Sequence, residues 1–164
     1  TWNATQIGNI GLMMMYSPLE SLRIAKAYNV GYFLINLASG APGLGSDLGK
    51  AVWMIRIGAA SANMGDLDVD DYYDEDTGYI NKFYDGVLWK LSTGGLTGNS
   101  EGTTPGSSVA ERIKQYAPLQ EGADNMPTFA DLEKVGFTEV YHSRNWWIRL
   151  WKVDYSVLSG EYTS

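Results

Sequence analysis

Asp47, Lys50 and Met54 are the residues whose types and spacing point most directly to chemistry in this chain. They belong to the run Ser46-Asp47-Leu48-Gly49-Lys50-Ala51-Val52-Trp53-Met54-Ile55-Arg56-Ile57. At a helical advance of about 100° per residue, positions three and seven steps from Asp47 return to one stripe. That stripe offers an acid, a base and a soft apolar tip to whatever approaches it. Val52, Ile55 and the stem of Arg56 form the opposite stripe, which is expected to enter a core. Glycines on both sides (Gly40, Gly43, Gly45 and Gly58) leave room for another chain. The same residues also fit a plainer description, an i,i+3 surface ion pair worth a few tenths of a kcal/mol beside a core methionine.

Other chemistry-bearing residues are less organised. The acidic run from Asp66 to Asp76 fails the calcium-loop template, because the sixth position is Asp71 rather than Gly and the twelfth is Thr77 rather than Glu. It is expected to be a solvated acidic loop. His142 is the only histidine, which gives a hydrolytic triad little to build on. Six Trp and eleven Tyr residues are compatible with a sugar-stacking surface or with ordinary core packing. Asn3-Ala4-Thr5 is the only N-glycosylation sequon, so Asn3 is a candidate glycan acceptor.

The elements that must position these groups follow from local signals. Ser17-Pro18-Leu19-Glu20 predicts a capped helix over residues 17–28. Residues 30–37 read as a buried strand, residues 38–45 as a loop, and Ser46 as the N-cap of the helix that carries Asp47 in its first turn. An acid there is also favoured by the helix dipole, independently of any recognition role. Residues 58–65 are small and expected to be flexible, residues 79–91 read as a helix, and residues 92–106 as a Gly, Ser and Thr-rich loop. Short helices are predicted over 107–116 and 128–135, the second with Thr128 and Asp131 in capping positions. Residues 137–143 and 145–153 form a predicted hairpin. In its second arm Trp147, Arg149, Trp151 and Val153 face one way and Trp146, Ile148, Leu150 and Lys152 the other, which suggests an interior strand. The class expected is α+β, a compact mixed domain of several helices around a small sheet, spanning residues 1–164 as one unit.

Composition restricts function further. The 164 residues are 45% hydrophobic and 19% charged, ordinary values for a globular domain with a real core. A formal charge of −7 with scattered basic residues argues against nucleic acid and anionic-membrane surfaces. No stretch approaches the roughly 20 apolar residues that span a bilayer. With no cysteine, disulfides and Cys-based metal sites are excluded.

Asp47-x-x-Lys50-x-x-x-Met54 resembles the Asp/Lys motif of the catalytic subunit of oligosaccharyltransferase, the membrane enzyme that N-glycosylates asparagine. The resemblance extends in order along the chain. Thr1-Trp2-Asn3-Ala4-Thr5-Gln6-Ile7 is similar to the family's Thr-Trp-Asn-x-Thr-x-Ile. The segment from Tyr28 to Ile35 resembles its Asp-Val-x-Tyr-Val-Leu-Val strand, and that from Lys50 to Gly58 its Lys-Phe-Leu-Trp-Met-Val-Arg-Ile-Gly. Asp71-Tyr72-Tyr73 matches an Asp-Tyr-Tyr, and the segment from Asn145 to Val153 resembles the closing His-Trp-Leu-Val-Arg-Ile-Tyr-Lys-Val.

This resemblance implies the C-terminal, extracytoplasmic domain of an archaeal-type enzyme of the cell membrane. The implied activity of the full-length protein is glycosyl transfer from a lipid-linked oligosaccharide to Asn in the Asn-x-Ser/Thr sequon of an acceptor protein. A divalent metal (Mn or Mg) would assist, with its ligands and the donor site expected outside this chain, as is the family's Trp-Trp-Asp-Tyr-Gly segment that reads the sequon hydroxyl. Asp47 and Lys50 would shape the acceptor pocket, and Met54 would touch the third sequon residue. On this reading the isolated chain is inert. An aromatic-rich carbohydrate-binding module and a purely structural extracellular domain remain as alternatives.

Overall fold

The computed structural model describes residues 4–37, 46–60, 67–80, 82–96 and 126–162. Two helices open the chain, α1 (Ala4–Met15) and α2 (Pro18–Ala27), followed by strand β1 (Tyr32–Asn36) and the helix α3 (Asp47–Ala60). A 3-10 turn (Val69–Asp71) leads into a small hairpin of β2 (Tyr73–Asp74) and β3 (Gly78–Tyr79). The short helices α4 (Lys82–Asp85) and α5 (Val87–Thr93) come next, then α6 (Phe129–Lys134), β4 (Phe137–His142), β5 (Ile148–Val153) and a closing 3-10 segment (Tyr155–Tyr162). This is the expected α+β class.

β1, β5 and β4 form an antiparallel sheet in that order, with β5 in the centre as its alternating sequence predicts. Its helix-facing residues Arg149, Trp151 and Val153 pair in register with Ile35 and Phe33 on one side and with His142, Glu139 and Phe137 on the other. β1 departs from the expectation of a fully buried strand. Phe33 and Ile35 are buried, but Tyr32 and Leu34 are 55% and 62% exposed. An edge strand of an antiparallel sheet needs cover on one face only, so an uninterrupted apolar run does not imply burial on both.

One contiguous core joins the helices to that face, with Leu12, Met15, Leu22, Leu48, Ile55, Phe83, Leu88 and Trp89 packed toward Phe33, Phe137 and Trp151. Each fully buried large apolar side chain contributes on the order of 1.5–3 kcal/mol. α1, which the local signals did not outline, supplies four consecutive buried residues from Leu12 to Met15. It crosses α3 at close range. A Cβ built on Gly11 would stand 2.7 Å from the Met54 carbonyl oxygen, so only glycine permits this approach.

The predicted helix over 79–91 is divided. Tyr79 lies in β3, and Gly86 is extended (φ −67°, ψ 150°) between α4 and α5. The break is set by tertiary packing: Val87 N–H donates to the Tyr16 carbonyl at 2.8 Å, and a Cβ on Gly86 would meet the Met15 carbonyl at 2.6 Å. α6 begins as predicted, with Thr128 Oγ1 accepting from Asp131 N–H and the Asp131 carboxylate accepting from Thr128 N–H. The same pattern at Ser17 works differently. Pro18 begins α2 as expected, but the Ser17 hydroxyl donates to the Glu20 carboxylate at 2.6 Å and caps no backbone group. The predicted helix over 107–116, the loop over 38–45 and most of 92–106 lie outside the described residues.

Candidate functional site

The candidate site lies on the first two turns of α3. Ser46 is its cap: the buried hydroxyl accepts from Gly49 N–H at 3.0 Å, and the Ser46 carbonyl accepts from Lys50 N–H at 3.1 Å. Asp47 follows in the first turn and is half-buried. Its Oδ2 accepts from the Asn36 backbone N–H at 2.6 Å, which ties the amino end of α3 to the end of β1. Burial raises the Asp47 pKa above the usual carboxylate value, while the Asn36 hydrogen bond and the nearby Lys50 charge pull the other way.

Lys50 is half-buried on the same side. It lowers the Asp47 pKa by its field, yet its ammonium forms no direct ion pair with that carboxylate among the described residues. One turn on, the Tyr79 hydroxyl enters the helix backbone. It donates to the Leu48 carbonyl at 2.7 Å and accepts from Val52 N–H at 3.2 Å, the carbonyl and amide of one i to i+4 step of the helix. Tyr79 is buried and stacked on Phe83, with ring centroids 4.0 Å apart. The hairpin therefore holds α3 between Lys50 and Met54.

The three predicted site residues share one flank of α3, but the assignment of stripes needs correction. The core stripe is Leu48, Ala51, Ile55 and Gly58, whereas Val52 is only half-buried. Met54 does not stand free on an outward face; it is half-buried and packed against the core cluster. The outward face is Trp53, Arg56 and Ile57, with Trp53 60% exposed and the Arg56 guanidinium 5.7 Å from its ring centre. Small residues explain the shift. Gly58 faces Leu12 of α1 and Leu67, so a small residue with little hydropathy signal sits in the buried stripe. Asn3 lies outside the described residues.

Tyr79 and the Asn36 backbone were not foreseen as parts of the site. The tight Asp74–Tyr79 hairpin is the only local hint, since Asp74 accepts from the backbone of Asp76 and Thr77. The carboxylates of the acidic run serve such local bonds: Asp68 caps the 3-10 turn and Asp71 pairs with Lys82. Among the described residues no three His, Asp or Glu side chains gather as a metal site. His142 stacks on Trp146 at 4.0 Å and sits 3.3 Å from Glu139. Trp89, Trp146 and Trp151 are core residues rather than a sugar-stacking surface. No described helix is long and apolar enough to cross a membrane.

No family model matches the chain. Over 160 residues, 93% of its length, it is 28% identical to the dolichyl-diphosphooligosaccharide–protein glycosyltransferase subunit STT3B of Oryza sativa subsp. japonica. It is 27% identical over the same share to subunit STT3 of Saccharomyces cerevisiae and to subunit STT3B of Arabidopsis thaliana. The chain spans about a fifth of the length of these curated relatives, 20% in each case. These similarities, with an α+β domain organised around the Asp47 to Met54 helix, support a domain related to the STT3 subunits of oligosaccharyltransferase.

Proposed function

We propose that residues 1–164 are the C-terminal, extracytoplasmic domain of an archaeal-type membrane oligosaccharyltransferase, and that the domain contributes to recognition of the acceptor sequon. The full-length protein would transfer a lipid-linked oligosaccharide to Asn in the Asn-x-Ser/Thr sequon of an acceptor protein, and the isolated domain would transfer none. Similarity to the three STT3 subunits over 93% of the chain supports the enzyme class. The observation that carries the residue-level reading is the state of Lys50: an ammonium beside Asp47, on a helix fixed from two sides, without a direct ion pair among the described residues.

In this reading Asp47 is a positioning residue that locks α3 to β1 through Asn36. Lys50 presents N–H donors and positive charge to acceptor carbonyl oxygens. Met54 lines the same wall with its thioether, where the methyl of a sequon Thr adds a contact worth about 0.8 kcal/mol, or roughly fourfold over Ser. A divalent metal (Mn or Mg) would act in the remainder of the full-length enzyme, and none of these roles depends on it. Asn3 is the proposed site of the protein's own glycan.

The test is Lys50→Ala in the full-length enzyme. Transfer to an Asn-x-Thr peptide is expected to fall while the melting temperature of the domain stays unchanged; parallel loss of both would return Lys50 to a structural role. Met54→Ala is expected to narrow the Thr/Ser rate ratio with hydroxyl dependence intact.

A further inference from the structure

A cleft lies away from α3, where the end of α1, the first turn of α2, the 3-10 turn before β2, and α4 meet. It is an open cleft of about 440 Å³ lined by Met15, Tyr16, Glu20, Tyr72, Lys82 and Asp85. Tyr72 is 5% exposed, and its hydroxyl makes no hydrogen bond among the described residues. The ring is buried, while the hydroxyl reaches the open cleft, where a group from another molecule can meet it. The chain places it at the wall of a cleft large enough to admit a ligand.

The charges around it are mixed in sign, with a negative balance. Glu20 and Asp85 line the cleft and Asp71 adjoins it. Against these three carboxylates stand Lys82, bonded to Asp71, and Lys90, 3.7 Å from Asp85. One negative charge is left over, on Glu20, whose carboxylate also accepts from Ser17. The amino end of α2 adds only about half a positive charge. Burial, with the fields of Tyr16, Asp71, Glu20 and Asp85, pushes the Tyr72 phenol up to about 12, so the hydroxyl is neutral and sits in a negative potential. The remaining surface is soft and apolar, from Met15 and the rings of Tyr16 and Tyr72. That combination suits a positive head on an apolar stem, which gains from carboxylates, from aromatic faces and from stem burial together.

We infer that this cleft binds the cationic side chain of a polypeptide, an alkyl-ammonium or alkyl-guanidinium group, with Glu20 and Asp85 as its counter-charges and the Tyr72 hydroxyl as its acceptor. Lys82 occupies one side of the cleft and competes with the ligand for Asp71. The inference does not depend on the proposed role of Lys50 and Met54, because it shares no residue with them.

The test is an amide chemical-shift titration of the 164-residue chain with N-acetyl-lysine amide and N-acetyl-arginine amide. N-acetyl-norleucine amide and a methyl glycoside serve as neutral controls. Saturable shifts at Met15, Tyr16, Tyr72 and Asp85 are expected with the cationic probes alone. Glu20→Gln combined with Asp85→Asn should weaken binding about fivefold or more, about 1 kcal/mol by the usual conversion. Tyr72→Phe should weaken it with the spectrum otherwise unchanged, and Lys82→Ala should strengthen it. Equal shifts with norleucine amide would reduce the cleft to an apolar groove. Shifts with the glycoside alone would make it a sugar subsite, and no shifts at all would remove it as a site; each of these results overturns the inference.

Discussion

Arg149 and Lys50 are both cations in a chain of net charge −7, and the fold uses them in opposite ways. Arg149 is fully buried on the central strand. Its Nε donates to Glu139 at 2.6 Å, Nη1 to the Ser92 carbonyl at 3.0 Å and Nη2 to the Gly94 carbonyl at 2.6 Å. Its guanidinium lies 4.7 Å from the Trp151 ring centre and 5.1 Å from that of Trp146. Each of the three guanidinium nitrogens donates to the chain itself, joining β5 to the end of α5. Lys50, by contrast, lies near Asp47 without a direct ion pair among the described residues. The buried cation is committed to the fold, whereas the half-buried one is the residue proposed above to meet the acceptor.

Breaking the first side of that contrast should have the largest effect. Arg149→Ala leaves Glu139 and two carbonyls without their donor, and removal of one member of a buried ion pair costs about 3–5 kcal/mol. Urea unfolding measures it, and a cost below about 1 kcal/mol would show that the contacts are incidental. Tyr79→Phe comes next. Loss of the hydroxyl between Leu48 and Val52 is expected to destabilise by about 1 kcal/mol, with direct closure of the helical bond recovering the rest. Faster amide exchange at Val52 in this variant would show that the opening is local.

Two helix-start carboxylates sharpen the comparison through pH. The native pKa of Asp47 is raised, chiefly by burial, so the unfolded chain releases this proton first as pH rises. Stability associated with Asp47 therefore falls from the ordinary carboxylate value up to its raised native value and stays lower above it. Asp131 has a lowered native pKa, chiefly from the Thr128 hydroxyl bond, so its contribution is present above the ordinary value and is lost as pH falls. Asp47→Asn and Asp131→Asn should thus change the stability profile between pH 3 and 7 in opposite senses, as followed by unfolding at each pH. Lys50→Ala should have the smallest effect on stability, within about 0.5 kcal/mol. A larger loss would mean that Lys50 is committed to the fold as Arg149 is.

Features governed by neighbours in sequence were legible before the structure. Thr128 and Asp131 announce α6 because the capping bonds close within four residues. The alternation from Trp147 to Val153 identifies a central strand because only a strand places Arg149, Trp151 and Val153 on one face. What escaped was governed at a distance. Gly86 interrupts a good helical stretch because Met15 and Tyr16 occupy the space a continuous helix would need. The α3 stripe was rotated because two of its four buried residues, Ala51 and Gly58, are small and give the apolar pattern little weight. Within the candidate site, the common flank of Asp47, Lys50 and Met54 followed from spacing alone. The locks supplied by Asn36 and Tyr79 come from 11 and 27 residues away and leave no local trace.

The Tyr79 lock also sets an order of events during synthesis. Its hydroxyl reaches backbone groups 27 and 31 residues earlier in the chain, so ribosomal synthesis delivers α3 well before the residue that settles its second turn. A nascent chain ending before the β2–β3 hairpin lacks the Tyr79 hydroxyl, so its bonds to Leu48 and Val52 arise only once the hairpin docks. The geometry between Lys50 and Met54 is therefore acquired late, as a property of assembled tertiary structure rather than of the helix that bears those residues.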